Sequence, residues 1–349
     1  MNVKHNQRGF GFFLVLVFLL VGCDHQSTSK PAFPFEMSGQ TMGTSYNIKT
    51  SVLPDGVQVD RLQSDIHQLL EGINDQMSTY RPQSELSLFN NSDSSDWQPV
   101  SQDLYTVLFE AKRISHLTEG AFDITVGPLV NLWGFGPDPL TSEPPSNEAI
   151  QQALQRVGYQ RLLLKSDPLS IKKTQTDLYL DLSSIAKGYG VDKVGLLLEK
   201  EGINDYLVEI GGELRLRGRK PDGNLWRIAI EKPASELRMI QKIVPISDVS
   251  VATSGDYRNF FEADGVSFSH TIDPRTGRPI DHSLASVTVL SDTAMEADAW
   301  ATAFMVLGAE DGSRLAEQLN IPVLFITKNE QGFNERSTSA FNEFFKERQ

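Results

Sequence analysis

Apolar and polar positions divide this chain into short alternating runs and longer runs with helical spacing. Tyr46 and Ile48 alternate with polar neighbours, which predicts a strand over Thr44 to Thr50. Leu62, Ile66, Leu69, Leu70 and Ile73 recur every three or four residues and predict a helix over Val59 to Met77. Asn90 to Asp96 reads as a polar loop. Leu104, Leu108, Ala111 and Ile114 predict a second helix over Ser101 to His116. A Pro- and Gly-rich loop is expected from Gly134 to Pro145, then a short helix over Asn147 to Val157. Leu162 to Leu164 and Leu178 to Leu180 read as short strands.

The second half mixes elements in the same way. Helices are predicted over Ser184 to Gly202, Thr293 to Leu307 and Gly312 to Leu319. Strands are predicted over Tyr206 to Arg217, Leu225 to Ile230, Ile243 to Val251, Phe260 to Thr271, Leu284 to Leu290 and Pro322 to Thr327. Strands do not alternate strictly with helices, so the expected class is α+β and not a doubly wound sheet.

The N-terminus has a different pattern. Lys4, His5 and Arg8 precede an apolar run from Phe10 to Val21, a length that suits a signal peptide and is too short to span a bilayer. The run ends in Leu20-Val21-Gly22-Cys23, which resembles a lipobox, with cleavage before a lipidated Cys23. Cys23 is the only cysteine, so no internal disulfide is available to it. Asp24 resembles the signal that retains lipoproteins at the inner membrane. The expected organisation is a signal peptide over 1–22, a lipid-anchored tether over 23–36 and a catalytic domain over 37–349. The expected location is the periplasmic side of the inner membrane.

Hydrophobic residues make up 40 %, enough for a sizeable core. The formal net charge is −13, and loss of Lys4 and Arg8 with the leader makes it two units more negative. Such a surface repels nucleic-acid phosphates.

Five segments could carry chemistry. In Ala294 to Met305, Asp298 and Thr302 stand four apart, hence on one helical face beside Ala294, Ala301 and Met305. A carboxylate and a hydroxyl are hard oxygen ligands suited to magnesium. A solvent-exposed Asp beside a threonine that bonds back to its own helix fits the spacing equally. Asp181 to Tyr189 would open a helix, where free N–H groups meet an anion with Lys187 one turn in; Asp181 or Ser183 acting only as a cap fits as well. Gly211-Gly212 inside an apparent strand marks a bulge or a close approach. His270 would end a strand just before the turn Pro274 to Gly277. Gly120 to Pro128 offers small residues and an aromatic for a flat ring, or simply a packed turn. The chain has no Gly-x-Ser-x-Gly elbow, no Walker loop and no dinucleotide fingerprint.

Together these segments resemble the ApbE family of FAD:protein FMN transferases. The likeness includes Thr41-Met42-Gly43-Thr44, Met77-Ser78-Thr79-Tyr80, Ser84-Glu85-Leu86, Ala121-Phe122-Asp123 with Gly127-Pro128, and Asp181 to Gly188. It continues through Gly211-Gly212-Glu213, Thr253 to Tyr257, His270 to Gly277 and Ala294 to Thr302, in family order. The resemblance implies an α+β core like the tunnelling fold and an exported, lipid-anchored enzyme. It implies transfer of FMN from FAD to a Thr or Ser hydroxyl of a membrane redox protein, with release of AMP. Acceptors would include subunits of sodium-pumping NADH:quinone reductase and related complexes.

Carried over by position, Met42, Tyr80, Ala121, Phe122 and Asp123 would contact the flavin. Asp181 and Lys187 would face the FAD, with Ile272 beside it. Magnesium would take the Asp298 and Thr302 side chains and the Ser184 carbonyl. The family often has Gly or Ala where this chain has Ser183 and Ser184, a change that a carbonyl ligand survives. His270 is the expected general base, with Asp256 as the second candidate. Two other activities share the motifs: hydrolysis of FAD to FMN and AMP, and flavin binding without turnover.

Overall fold

The computed structural model describes residues 33–137, 143–232, 239–255, 260–263 and 266–346. Eight strands form one sheet: β1 (Phe35–Thr41), β2 (Thr44–Thr50), β3 (Tyr206–Ile210), β4 (Glu213–Arg217), β5 (Val249–Gly255), β6 (Leu284–Ser291), β7 (Val323–Asn329) and β8 (Gly332–Ser337). Every neighbouring pair is antiparallel, and spatial order follows chain order from β1 to β8. The α+β expectation therefore holds. The first strand begins at Phe35.

Helices enter as insertions between strands. The link from β2 to β3 holds α1 (Val59–Met77), α2 (Glu85–Asn91), α3 (Gln102–Leu117), α4 (Gly127–Leu132), α5 (Asn147–Leu154) and α6 (Ala186–Lys200). Between β6 and β7 lies α7 (Ala294–Gln318), and α8 (Ser339–Lys346) follows β8. Ser84, Ser101, Ser146 and Thr293 each precede a helix and accept from an N–H of its first turn, satisfying donors that the helix leaves open.

Helices α6 and α7 pack on one face of the sheet around Val191, Val194, Ala297, Ala301 and Phe304. The other face is covered by the hairpin Trp226–Lys232/Met239–Ile246 and by α8, with Trp226, Ile228, Ile246 and Phe341 buried there. Strand β6 is thus covered on both sides: Val287 and Val289 join the helical core and Leu290 the opposite one. None of the described helices is long and apolar enough to cross a membrane.

Several elements differ from the sequence reading. Tyr206 to Arg217 is a hairpin, with Gly211 (φ +66°) and Gly212 (φ +111°) as its two-residue turn and not a bulge. Ile243 to Val251 is broken at Asp248 (φ +53°), where one strand ends and β5 begins. Phe260 to Thr271 is a hairpin of Phe260–Ala263 and Val266–Ser269. The loop expected from Asn90 begins inside α2. Leu178 to Leu180 forms no ladder. The two helices expected after Thr293 are present, by contrast, joined as α7 across a kink at Gly308 (φ +77°).

Candidate active site

Two hairpin turns and the end of a third element, β5, meet at one end of the sheet. The turn Met42-Gly43 closes β1 onto β2, both residues with positive φ (+50° and +72°), as a two-residue hairpin turn requires. Met42 holds this conformation against the preference of an L side chain, a strain typical of functional positions. The turn Gly211-Gly212 lies beside it, since the Gly211 N–H donates to the Ser45 carbonyl at 3.0 Å. A Cβ on Gly211 would stand 2.9 Å from Thr44 Cγ2 and 3.2 Å from Lys187 Cδ, so only glycine leaves room there. The end of β5, Thr253 to Gly255, completes this end of the sheet. Together with α6 and α7 these ends enclose a cavity of about 730 Å³.

Helices α6 and α7 reach the cavity through a close crossing. A Cβ on Gly188 would stand 2.2 Å from the Ala294 carbonyl oxygen, so the absent side chain lets the two backbones touch. Asp192 secures the crossing: its two carboxylate oxygens accept from the Ala294 and Met295 N–H groups, each at 2.9 Å. Burial pushes the Asp192 pKa up, opposed by those two bonds and by Arg215.

The crossing sets Lys187 against Asp298. Asp298 is 3 % exposed, and its Oδ2 accepts from the Gly188 N–H at 3.1 Å. Lys187 Nζ stands 3.4 Å and 3.5 Å from the two Asp298 oxygens and 3.1 Å from Glu213 Oε1. Burial alone would lower the Lys187 pKa, but Asp298 and Glu213 hold it well above its ordinary value. Glu213 is pushed up to about 7 by burial, with Lys187 pulling down and Asp298 pushing up. Its Oε2 is buried with no hydrogen-bond partner among the described residues. Thr302, one turn beyond Asp298, lies 3.4 Å from the Ser254 hydroxyl.

The remaining wall is more apolar. Ala121, Phe122, Val126 and Ile272 line it, and Ile272 is 5 % exposed. Asp123 lines it too, but its acceptors serve the turn: Oδ1 accepts from the Thr125 N–H and hydroxyl at 2.8 Å and 2.7 Å, and Oδ2 from the Tyr159 N–H at 2.8 Å. Burial raises its pKa against these bonds. Asp181 accepts from the Ser183 N–H at 2.8 Å and shapes the turn into α6. His270 stands on the wall with its ring edge-on to Phe135, 6.3 Å between centroids.

The structure therefore brings Met42, Ala121, Phe122, Asp123, Asp181, Ser184, Lys187, His270, Ile272, Asp298 and Thr302 around one cavity. Tyr80 is not among its lining residues and is 68 % exposed. Its phenol is pushed up by partial burial and then by the charge of Asp181, so it stands within electrostatic range of that residue. Asp256 and Cys23 lie outside the described residues.

The donor set fits a hard cation. Among the described residues no group of three His, Cys, Asp or Glu side chains could hold a metal. Asp298, Thr302 and the Ser184 carbonyl are all oxygen donors, and so few protein ligands suit Mg²⁺, which keeps waters and takes substrate phosphate oxygens.

The ApbE family model matches residues 42–325 of this chain. The chain belongs to the ApbE family. The FAD:protein FMN transferase of Vibrio cholerae serotype O1 is 50% identical over 331 residues, covering 95% of this chain and 97% of that one. The protein of the same name from Escherichia coli K12 is 40% identical over 336 residues, covering 95% of each. Among solved structures, the flavin transferase ApbE from Vibrio cholerae superposes with a TM-score of 0.83 at 49% identity, covering 89% of this chain and 98% of that one. The apo flavinyl transferase ApbE of Pseudomonas stutzeri gives 0.82 at 42% identity, covering 89% and 96%. The chain is accordingly a transferase.

Sequence reasoning quoted Glu213 within a motif without nominating it for the site. Alternation along β4 puts Glu213, Arg215 and Arg217 on one face, but only the placement of Lys187 reveals what Glu213 does there. Ser254, within the segment Thr253 to Tyr257, and Glu209, two residues before Gly211, also line the cavity without having been nominated, and Thr288 carries no local signal.

Proposed function

We propose that this chain transfers FMN from FAD to a Thr or Ser hydroxyl of an acceptor protein, releasing AMP. The observation that supports this most directly is the meeting of Asp298, Thr302 and Lys187 with the apolar wall of Met42, Phe122 and Ile272 in one cavity. One end offers oxygen ligands and a cation for a pyrophosphate; the other offers surface for a flat ring.

In the proposed reaction the acceptor oxygen attacks the phosphorus of the FMN half. The bond from that phosphorus to the bridging oxygen breaks, and its electron pair leaves with AMP. The hydroxyl proton must go to a base as attack proceeds. His270 on the cavity wall fills that role. Asp298, Thr302 and the Ser184 carbonyl would hold Mg²⁺, which when bound would screen pyrophosphate charge and ease departure of AMP. Lys187 presents a positive charge at the same end. Glycines at 188 and 211 let these groups stand close together.

The lipidated Cys23 would tether the enzyme to the periplasmic side of the inner membrane, beside acceptors of the sodium-pumping NADH:quinone reductase type. Incubation with FAD, Mg²⁺ and such an acceptor should add the mass of one FMN, less water, to the acceptor. Release of FMN and AMP with no adduct would assign hydrolysis instead. Flavin binding with no product at all would overturn both.

A further inference from the structure

Lys187 shares its ammonium between two carboxylates that are nearly closed to solvent, with side chains 7% exposed at Glu213 and 4% at Asp298. With both carboxylates ionised, their charges sum to a single negative unit. A divalent cation held by Asp298 would lie against that ammonium, because Lys187 Nζ stands 3.4 Å from Asp298 Oδ1. Two cations on one buried carboxylate repel strongly at such separations. Among the described residues Lys187 has one other charged partner within ion-pair distance. Glu213 already accepts from it through Oε1 at 3.1 Å, and Glu213 Oε2 is buried without a hydrogen-bond partner among the described residues.

We propose that Glu213 is the alternate berth for the Lys187 ammonium, and that the hand-over of Lys187 from Asp298 to Glu213 sets how tightly the site holds Mg²⁺. The proposal rests on the reading of Asp298 as a metal ligand. Glu213 is then a positioning residue that acts through Lys187. Its free oxygen receives the lysine when the cation takes Asp298. Gly211 keeps that corner open, since a Cβ there would stand 3.2 Å from both Glu213 Oε2 and Lys187 Cδ.

The test is calorimetric titration of Mg²⁺ into the full chain without FAD, so that binding is read apart from turnover. Glu213→Gln leaves Lys187 committed to Asp298 and should weaken Mg²⁺ binding by roughly tenfold or more. Lys187→Met removes the competitor and should tighten it. Because Lys187→Met strands two buried carboxylates, the charge-balanced double variant Lys187→Met/Glu213→Gln serves as the second arm. It keeps the wild-type net charge and should still bind Mg²⁺ more tightly than wild type. Circular dichroism without Mg²⁺ establishes that each variant is folded. Wild-type affinity in Glu213→Gln, or a double variant no tighter than wild type, would overturn the hand-over. Asp298→Asn separates the underlying reading: unchanged Mg²⁺ affinity in that variant would remove Asp298 as a ligand, and the hand-over with it.

Discussion

The side-chain amide of Asn90 bonds both backbone polar groups of Leu180: its Nδ2 donates to the Leu180 carbonyl at 2.9 Å, and its Oδ1 accepts from the Leu180 N–H at 2.8 Å. One side chain thus does the work of a strand neighbour. On the other side, the Asp181 N–H donates to the Ile124 carbonyl at 2.7 Å. The cavity wall from Asp181 to Ser184 hangs from these contacts. Asn90 is itself held, because the buried Lys173 donates to the carbonyls of Phe89 and Asn90 at 3.0 Å and 3.3 Å. A cation there also complements the C-terminal end of α2.

Asn90→Ala should therefore cost about 2–4 kcal/mol, since two buried backbone groups lose their partners. Urea denaturation measures this. A loss within a few tenths of a kcal/mol would mean that water or a shifted backbone replaces the amide.

Gly188→Ala should separate α6 from α7. The new Cβ would meet backbone atoms that cannot rotate away: the Ala294 oxygen at 2.2 Å, its carbonyl carbon at 2.6 Å and Met295 Cα at 2.8 Å. A destabilisation of roughly 1–3 kcal/mol is expected, with loss of transferase activity as Lys187 leaves Asp298. Gly190→Ala is the control, because its nearest neighbour is the flexible end of Met42 at 2.9 Å. Equal melting temperatures for the two variants would contradict the close-crossing account.

His270→Asn should slow transfer by roughly two to four orders of magnitude if its imidazole takes the acceptor proton. Flavin affinity should change little, because Met42, Phe122 and Ile272 supply the apolar wall. The pH–rate profile should lose an ionisation near neutrality. Activity within a few-fold of wild type, with an unchanged profile, assigns the base to another group.

Glu199 links stability to acid. Burial pushes its pKa up, but hydrogen bonds from Tyr206 and Arg217 and the Arg215 charge outweigh it, so the net shift is downward from 4.5. A depressed carboxylate contributes stability above the unfolded value and loses it as pH falls through the folded one. Wild-type stability should decline below about pH 4.5, and Glu199→Gln should start lower and decline less steeply. Urea midpoints measured across that range decide it; parallel curves would show that the Arg215 cluster is not a source of acid sensitivity.

Much of the fold is legible along the chain where one element buries one face. The Val59–Met77 helix and the Thr44–Thr50 strand appear with the bounds read from periodicity. The break of α7 near Gly308 is legible too, since apolar spacing lapses there. What misleads is continuity. Apolar runs at 206–217 and 260–271 each fold back on themselves, because alternation persists on both arms of a hairpin, and the run at 243–251 passes from one sheet to another at Asp248. Edge strands β1 and β8 escaped notice because solvent-facing strands carry a weak apolar signal.

At the site, local spacing placed Asp298 and Thr302 on one helical face and Lys187 in the first turn of α6. Local spacing says nothing about which buried charges meet. Lys187 and Asp298 are 111 residues apart, and Asn90 and Leu180 are 90 apart. Their pairing depends on a helix crossing that a single glycine permits and on a clamp that replaces a strand. Short-range propensity and periodicity act within a few residues, so they determine the elements. Close packing and the need to partner buried polar groups act across the whole chain, so they decide which of those elements share a cavity.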